Sequence, residues 1–381
     1  MTKRTVFNGV DRPRLWKSAL SGKRVGLVTN PSGVDRNLRL TSDVLYESGC
    51  LVALFSPEHG VRGDRQAGDH VDTYTDEKTS LPVYSLYGGS HNISEEVMST
   101  LDAIVFDIQD VGARFYTYIY TLSFVMEDCA RYGKEVVVFD RLNPLGGLSP
   151  QGTVLEPEFS STIGRFPIAT RFNMTVGEYA RYINDTQGIS SSLTVIPIEG
   201  WTRDTFFSQT DLLWVSPSPN IPTPDACFCY IGTCLAEGTN LSEGRGTTHP
   251  FEMIGAPYID AEELSTYMKS KGFEGVIFRP CHFTPTFSKH AGELCHGIQI
   301  HITDHRSFKP FEVGLYLVDH IRKVYKEFEF RKPSSNGRYF IDLLMGCNDL
   351  RRDDFDIGIF LEGQSHKLAL YEEEIKPYYM Y

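Results

Sequence analysis

Residues 103–140 read AIVFDIQDVGARFYTYIYTLSFVMEDCARYGKEVVVFD, and their reading decides the fold. Ala103 to Ile108 and Glu135 to Phe139 are short apolar runs rich in β-branched residues and closed by polar ones, the pattern of buried strands. Between them Tyr118, Ile119, Leu122, Val125, Met126 and Cys129 recur at i, i+1, i+4, i+7, i+8 and i+11, one face of a helix that Gly133 ends. Strands apolar on both faces, joined by a crossover of this length, pair in parallel beneath helices.

The same rhythm extends upstream through Arg24 to Thr29, Leu51 to Ser56 and Leu81 to Leu86. The expectation is an α/β protein whose first domain, residues 1–228, is a Rossmann-like, doubly wound parallel sheet. After Trp214 the chain is punctuated by Pro217, Pro219, Pro222, Pro224, Gly238, Gly244, Gly246 and Pro250, so loops dominate there. Beyond them Ile298, Ile300 and Ile302 alternate as a half-buried strand. Phe311, Leu315, Val318, Ile321 and Tyr325 mark an amphipathic helix. A smaller α+β domain is expected over 229–381, with a cleft between the two.

With 381 residues, the chain exceeds what one core usually organises. Its 41% hydrophobic and 23% charged residues are those of an ordinary globular protein. A net charge of −12, with no basic run interleaved with aromatics, argues against a nucleic-acid partner. No apolar run approaches the ~20 residues of a spanning helix, so membrane insertion is not expected. Met1 to Lys23 lacks the apolar stretch of a signal peptide, so a cytoplasmic protein is expected, or a periplasmic or secreted one if a leader was trimmed. The eight cysteines, without the spacing of a disulfide framework, suit a reducing, cytoplasmic setting.

Open parallel sheets bind ligands beyond the carboxyl ends of their strands. The residues just after the strand runs are unusually polar: Asn30 and Ser32, then Glu58, His59 and Arg62, then Gln109, Asp110 and Arg114, then Asp140, Arg141 and Asn143. Singly, each reads as a helix cap or a loop ion pair; together they read as a site. No G-x-G-x-x-G, P-loop or G-x-S-x-G motif is present. Asp107 and Asp110 stand three apart rather than two, which leaves Mg²⁺-dependent phosphoryl transfer as a minor alternative. Cys227, Cys229 and Cys234, or Cys281, His282, His290, Cys295 and His296, lack paired metal-ligand spacing, so neither a metal nor a cofactor is expected.

What remains is carboxylate chemistry among polyol-friendly donors: Glu58, Asp107, Asp110, Glu237 and Glu243 with Asn143, Asn220, Asn240, Tyr116 and Tyr118. Glycoside hydrolysis needs one carboxylic acid to protonate the leaving oxygen and a second carboxylate as base or nucleophile. Glu58 follows Pro57 at the end of an apolar strand, where partial desolvation raises a carboxyl toward acid duty. The candidate catalytic residues are Glu58, Asp110 and Glu243. The candidate substrate-binding residues are Asn30, His59, Arg62, Gln109, Arg114, Tyr116, Asn143, Asn220, Glu237, Asn240 and Arg245.

The blocks LFSPEHGVRG (54–63), FDIQDVGARFYTY (106–118), PSPNIP (217–222) and EGTNLSEGRGTT (237–248), followed by Pro250-Phe251-Glu252, closely resemble the exo-β-N-acetylmuramidase (NamZ) family. The resemblance runs from about Lys23 to Tyr381. It implies a glycosidase that releases N-acetylmuramic acid from the non-reducing end of peptidoglycan fragments, with its catalytic glutamate at Glu58. The partner is then a small saccharide or muropeptide. The lactyl carboxylate of muramic acid calls for a cation, for which Arg62, Arg114 and Arg245 are available. A non-hydrolytic amino-sugar binder is the competing class. The family usually has His or Tyr and then Gly where this chain has Phe172 and Asn173. Thr175 and Glu178 beyond them have capping-box spacing, so this loop is expected to enter a helix, either beside the substrate, where it alters substrate preference, or pointing away from the cleft, where the change is neutral.

Overall fold

The computed structural model describes residues 3–57, 60–62, 73–86 and 92–381. Its strands are β1 (Val25–Thr29), β2 (Leu51–Ser56), β3 (Tyr74–Thr75), β4 (Pro82–Ser85), β5 (Ala103–Asp107), β6 (Glu135–Phe139), β7 (Gln151–Val154), β8 (Ala169–Arg171), β9 (Ser192–Ile196), β10 (Met253–Ala256), β11 (Val276–Phe283) and β12 (Cys295–Ile302). The helices are α1 (Pro13–Ala19), α2 (Thr41–Glu47), α3 (Glu95–Ser99), α4 (Tyr118–Tyr132), α5 (Val176–Thr186), α6 (Pro224–Thr233), α7 (Ala261–Ser270), α8 (Pro310–Val324), α9 (Phe340–Met345) and α10 (Ile357–Ile375).

The main sheet runs β3-β4-β2-β1-β5-β6-β9, parallel throughout except for the β3 edge. It is Rossmann-like, and the order of strands reverses between β1 and β5. The alternation along each strand explains its two covered faces. Val28, Ile104, Phe106, Val136 and Val138 face one apolar cluster, while Val25, Leu27, Val105, Val137 and Phe139 face another with Trp16 and Leu45. Each such side chain contributes roughly 1.5–3 kcal/mol by leaving water. The stripe on residues 118–129 forms α4, and Gly133 closes it in the left-handed conformation at φ 63°.

The second, smaller unit is an antiparallel sheet, β10-β12-β11, covered by α7 and joined through α6 and α8 to the first. Its apolar side chains Phe251, Ile298, Phe311 and Leu317 belong to the same cluster as Phe106 and Ile119, so one core runs through both units. The expected boundary residue, Phe228, lies inside α6.

The loop at Arg171, Phe172 and Asn173 is packed inside the protein. Thr175 and Glu178 do form a capping box at the start of α5, but the loop faces the polypeptide rather than a substrate crevice. Phe172 is fully buried, its carbonyl accepting from Tyr371 Oη at 2.9 Å, and Asn173 Nδ2 donates to Tyr379 Oη at 3.1 Å. Arg171 is buried too, its guanidinium donating to the Leu145 carbonyl and lying 5.7 Å from the Phe228 ring centre. Asn173 has φ 63°, a conformation that Gly adopts freely and Asn tolerates. Gly and Asn are therefore both compatible with the backbone at this position. Asn173→Ala should therefore cost about 1–2 kcal/mol in denaturant unfolding and Asn173→Gly distinctly less. Equal losses in the two variants would refute the backbone explanation.

Candidate active site

The reversal between β1 and β5 opens a crevice beyond their carboxyl ends. Three chain segments meet there: residues 30–32 after β1, residues 108–112 after β5, and the Pro217–Pro222 loop. The Pro217 carbonyl accepts from both Asn30 Nδ2 at 2.9 Å and Tyr118 Oη at 3.1 Å, which fixes the loop over the strand exits. Gln109 N donates to Ser32 Oγ at 3.0 Å and ties the two exits together.

Much of the polar cluster turns out to build the crevice rather than line it. Asn30 is fully buried, its Oδ1 accepting from Ser32 N and Oγ. Gln109 Nε2 donates to the carbonyls of Asp110 and Leu142. Asn143 Nδ2 donates to Met174 O while its Oδ1 accepts from Leu145 N. These amides act as backbone brackets: Asn30 and Asn143 are hydrogen-bonded at both ends of the amide, and Gln109 through its Nε2. Asp107 and Arg141 pair side-on at 2.5 and 2.9 Å, both buried, and Thr41 also donates to Asp107. Asp140 accepts from Thr175 Oγ1, Gly177 N and Tyr381 Oη at 2.7 Å each, and burial pushes its carboxyl up to about 7.

The cations foreseen for a carboxylate ligand are also engaged. Arg114 is fully buried and donates to the Leu344 carbonyl at 2.8 Å, with Leu343, Thr153 and Thr170 around it. Arg62 reaches Asp76 at 2.5 and 2.9 Å and Asp43 at 3.3 Å. Arg245 pairs with Glu237 at 2.8 Å and Glu243 at 3.3 Å.

Asp110 is different. It is only 5% exposed, its Oδ2 accepts from Gly112 N at 2.6 Å, and its Oδ1 has no hydrogen-bond partner among the described residues. Desolvation raises its carboxyl to about 7, against the lowering effect of the Gly112 and Val111 amides. Gly112 takes φ 76°, and a Cβ there would meet Asn143 Oδ1 at 2.5 Å, so the turn that presents Asp110 needs glycine. Tyr116, next to Asp110, packs edge-on against Tyr118 and Tyr230 at 5.1 and 6.0 Å, its hydroxyl facing Ser218. Asn220 is half-buried at the tip of the proline loop. Glu58 and His59 lie outside the described residues.

Beyond Tyr230 the rings continue to Phe251 at 4.6 Å, over which Arg245 stands at 5.0 Å. There a second cleft of about 550 Å³ opens in the smaller unit, lined by Glu237, Glu243, Arg245, Lys289 and the segment 329–332. Glu243 is 2% exposed in its side chain and held between Arg245 and Lys289, the latter at 2.8 Å. An aromatic layer thus lies between it and Asp110, and Glu243 anchors the ion pairs of this cleft. Asn240 has its amide engaged by Tyr258, Glu327 and Glu329. Lys289, which no sequence pattern singled out, also donates to the carbonyls of Ala236 and Thr239. Of the Cys and His sets, Cys227, Cys229 and Cys234 are buried on or just after α6, and His282 faces His296 at 2.7 Å across β11 and β12. No group of three potential metal ligands converges among the described residues.

Comparison with known proteins identifies the family. The N-terminal model of the exo-β-N-acetylmuramidase NamZ family matches residues 25–225 and its C-terminal model residues 228–381. The peptidoglycan β-N-acetylmuramidase NamZ of Bacillus subtilis (strain 168) is 50% identical over 323 residues, 84% of this chain and 78% of its own. A DUF1343 family protein of Bacteroides fragilis NCTC 9343 superposes with a TM-score of 0.91 at 34% identity over the full length of both chains. A second from the same strain gives 0.80 at 29% identity over 99% of each. Matched in both its parts, this chain belongs to the exo-β-N-acetylmuramidase NamZ family.

Proposed function

We propose that this protein is an exo-acting glycoside hydrolase that releases N-acetylmuramic acid from the non-reducing end of peptidoglycan fragments, at the crevice beyond β1 and β5. Membership of the family and half-identity to a peptidoglycan β-N-acetylmuramidase support the reaction. The observation that carries the mechanism is Asp110: a buried carboxyl at the switch point, one oxygen without a partner among the described residues, raised to about 7.

A carboxyl that holds its proton near neutrality is suited to donate it to a departing glycosidic oxygen. Asp110 takes that role here. Glu58, the catalytic glutamate by family resemblance, then acts as the ionised partner, base or nucleophile, which reverses the division of labour expected from sequence. Tyr116 and the Pro217–Pro222 loop supply an apolar wall and polar edge for the sugar. No step calls for a metal.

The test is a pair of variants on two substrates. Glu58→Gln should lose at least about 10²-fold in rate on both an unactivated disaccharide and an aryl N-acetylmuramide, because base or nucleophile is needed whatever leaves. Loss of the proton donor at Asp110 should be felt mainly on the unactivated disaccharide, since a phenol leaves without full protonation. Near wild-type turnover in Glu58→Gln would sink the assignment. Sugar binding by the wild type without any turnover would favour the binder reading instead.

A further inference from the structure

We propose that the Pro217–Pro222 loop is a latched lid over Asp110 that lifts to admit the glycosidic oxygen, with Tyr118 as the positioning residue that sets how often it opens. The inference rests on the hydrolase reading above and goes beyond it by adding a conformational step ahead of the chemistry.

A general acid works within about 2.6–3.2 Å of the oxygen it protonates. Asp110 is only 5% exposed, and its Oδ1 is shielded from solvent as well as unpartnered among the described residues. No sugar oxygen reaches that atom while the groups around it stay in place, so one of them moves.

Most of the groups around Asp110 are built in. Its carbonyl accepts from Gln109 Nε2 at 2.8 Å, its Oδ2 holds the Gly112 amide, and Gly112 lies against Asn143 with no room for a Cβ. Ile108, Val111 and the nearby Cys227 belong to the main apolar cluster. Tyr116 is placed differently, because its hydroxyl faces Ser218 and the loop therefore lies over the ring beside Asp110.

The loop is held by hydrogen bonds more than by burial. Pro217 O accepts from Asn30 Nδ2 and Tyr118 Oη, and Ile221 O accepts from Trp214 Nε1 at 3.2 Å. Pro217 and Ile221 are buried, but Pro219 is exposed and Ser218, Asn220 and Pro222 are half-buried. Segments with so few buried side chains open at low cost. Prolines fix φ at 217, 219 and 222, and Ile221 N donates to Ser218 O at 3.1 Å across a Pro-Asn turn, so the segment moves as one piece. Its far end pivots on Thr223, which accepts from Ala226 N and donates to Glu252 Oε1, each at 3.0 Å. Its near end leads back to Leu213, 61% exposed, and is the less anchored side.

Where only a minor open state binds, apparent affinity scales with its population. Removing one hydrogen bond from the closed state raises that population about fivefold. Tyr118→Phe keeps the ring and deletes the hydroxyl given to Pro217 O. It should lower KM about fivefold on an unactivated disaccharide, with kcat changing less, and speed the association of N-acetylmuramic acid by the same factor. Association is read from tryptophan fluorescence, since Trp214 is bonded to the loop. Hydrogen exchange across residues 216–223 should quicken by that factor too, while β1 and β5 keep their rates. A tyrosine that only supports the fold would raise KM or lower kcat instead. If Tyr118→Phe proves unstable, Trp214→Phe, which releases Ile221 O, decides by the same KM and exchange measurements. A KM that is unchanged or raised, or faster exchange without faster association, would overturn the proposal. If nothing is hydrolysed but Tyr118→Phe still speeds association about fivefold, the hydrolase reading fails and this one stands. Hydrolysis with association and exchange alike in wild type and variant would leave the reaction as assigned and refute the lid.

Discussion

Asp110→Asn should lower the rate on an unactivated disaccharide by about 10²- to 10⁴-fold while making the protein more stable at pH 8. An amide keeps the shape and can still accept from Gly112 N, but it has no proton to give. The stability effect follows from linkage. The folded carboxyl titrates near 7 against an ordinary 3.8. Its favourable contribution is therefore complete below about 4 and is lost as pH rises through about 7. Asn, which never ionises, escapes that loss. The variant should gain on the order of 4 kcal/mol at pH 8 and little at pH 4, measured by denaturant unfolding at both. In the wild-type enzyme the same titration should produce an alkaline fall in kcat/KM through about pH 7, and the Asn variant should lack it. A variant that keeps wild-type activity, or is destabilised more at pH 8 than at pH 4, would contradict the role given to Asp110.

Arg141→Met should be the most damaging single change to the fold outside the apolar core. It strips Asp107, which is fully buried, of a two-pronged partner and leaves a carboxylate facing Thr41 alone. Breaking a buried ion pair from one side costs about 3–5 kcal/mol. Arg141 also donates to Val34 O at 2.7 Å, so the loop after β1 loosens with it. Replacing both partners, as Asp107→Leu with Arg141→Met, should recover much of the loss, because no unpaired charge remains. Urea midpoints of the single and double variants decide this. A single variant within about 1 kcal/mol of wild type would mean that the pair is dispensable.

The fold was largely legible because its strands carry their burial in their own composition. Glu135 to Phe139 became a strand with those same limits, and the stripe from Tyr118 to Cys129 could only be one buried helix face. The topology also brought the strand exits together, as their polarity suggested. Which exit residues would remain free was not legible. Asn30, Gln109 and Asn143 have the same chemistry whether they bind sugar or bracket the chain, and the carbonyls they bracket arrive by tertiary folding, Pro217 from 187 residues away in the case of Asn30. Arg114 looked like a ligand cation until α9, 230 residues onward, supplied Leu344 O. Asp110 was readable as a carboxylate at the right place, but its retained proton depends on burial by Tyr116, Cys227 and their neighbours.

Tyr378, Tyr379, Met380 and Tyr381 close the first unit from the far end of the sequence. They reach Asp185, Asn173, Glu178 and Asp140, and Tyr381 accepts from Ile198 N. The Asp140 contact spans 241 residues. Folding during synthesis normally proceeds from the amino end, and closing so wide a loop is entropically slow. While it is being made, the Rossmann-like half must therefore wait with Asp140, Glu178 and the Phe172 loop uncapped. Its final consolidation is set by the arrival of four residues rather than by its own strands, and refolding should end in a late phase that Tyr381→Phe and Tyr379→Phe alter without touching the early formation of the sheet.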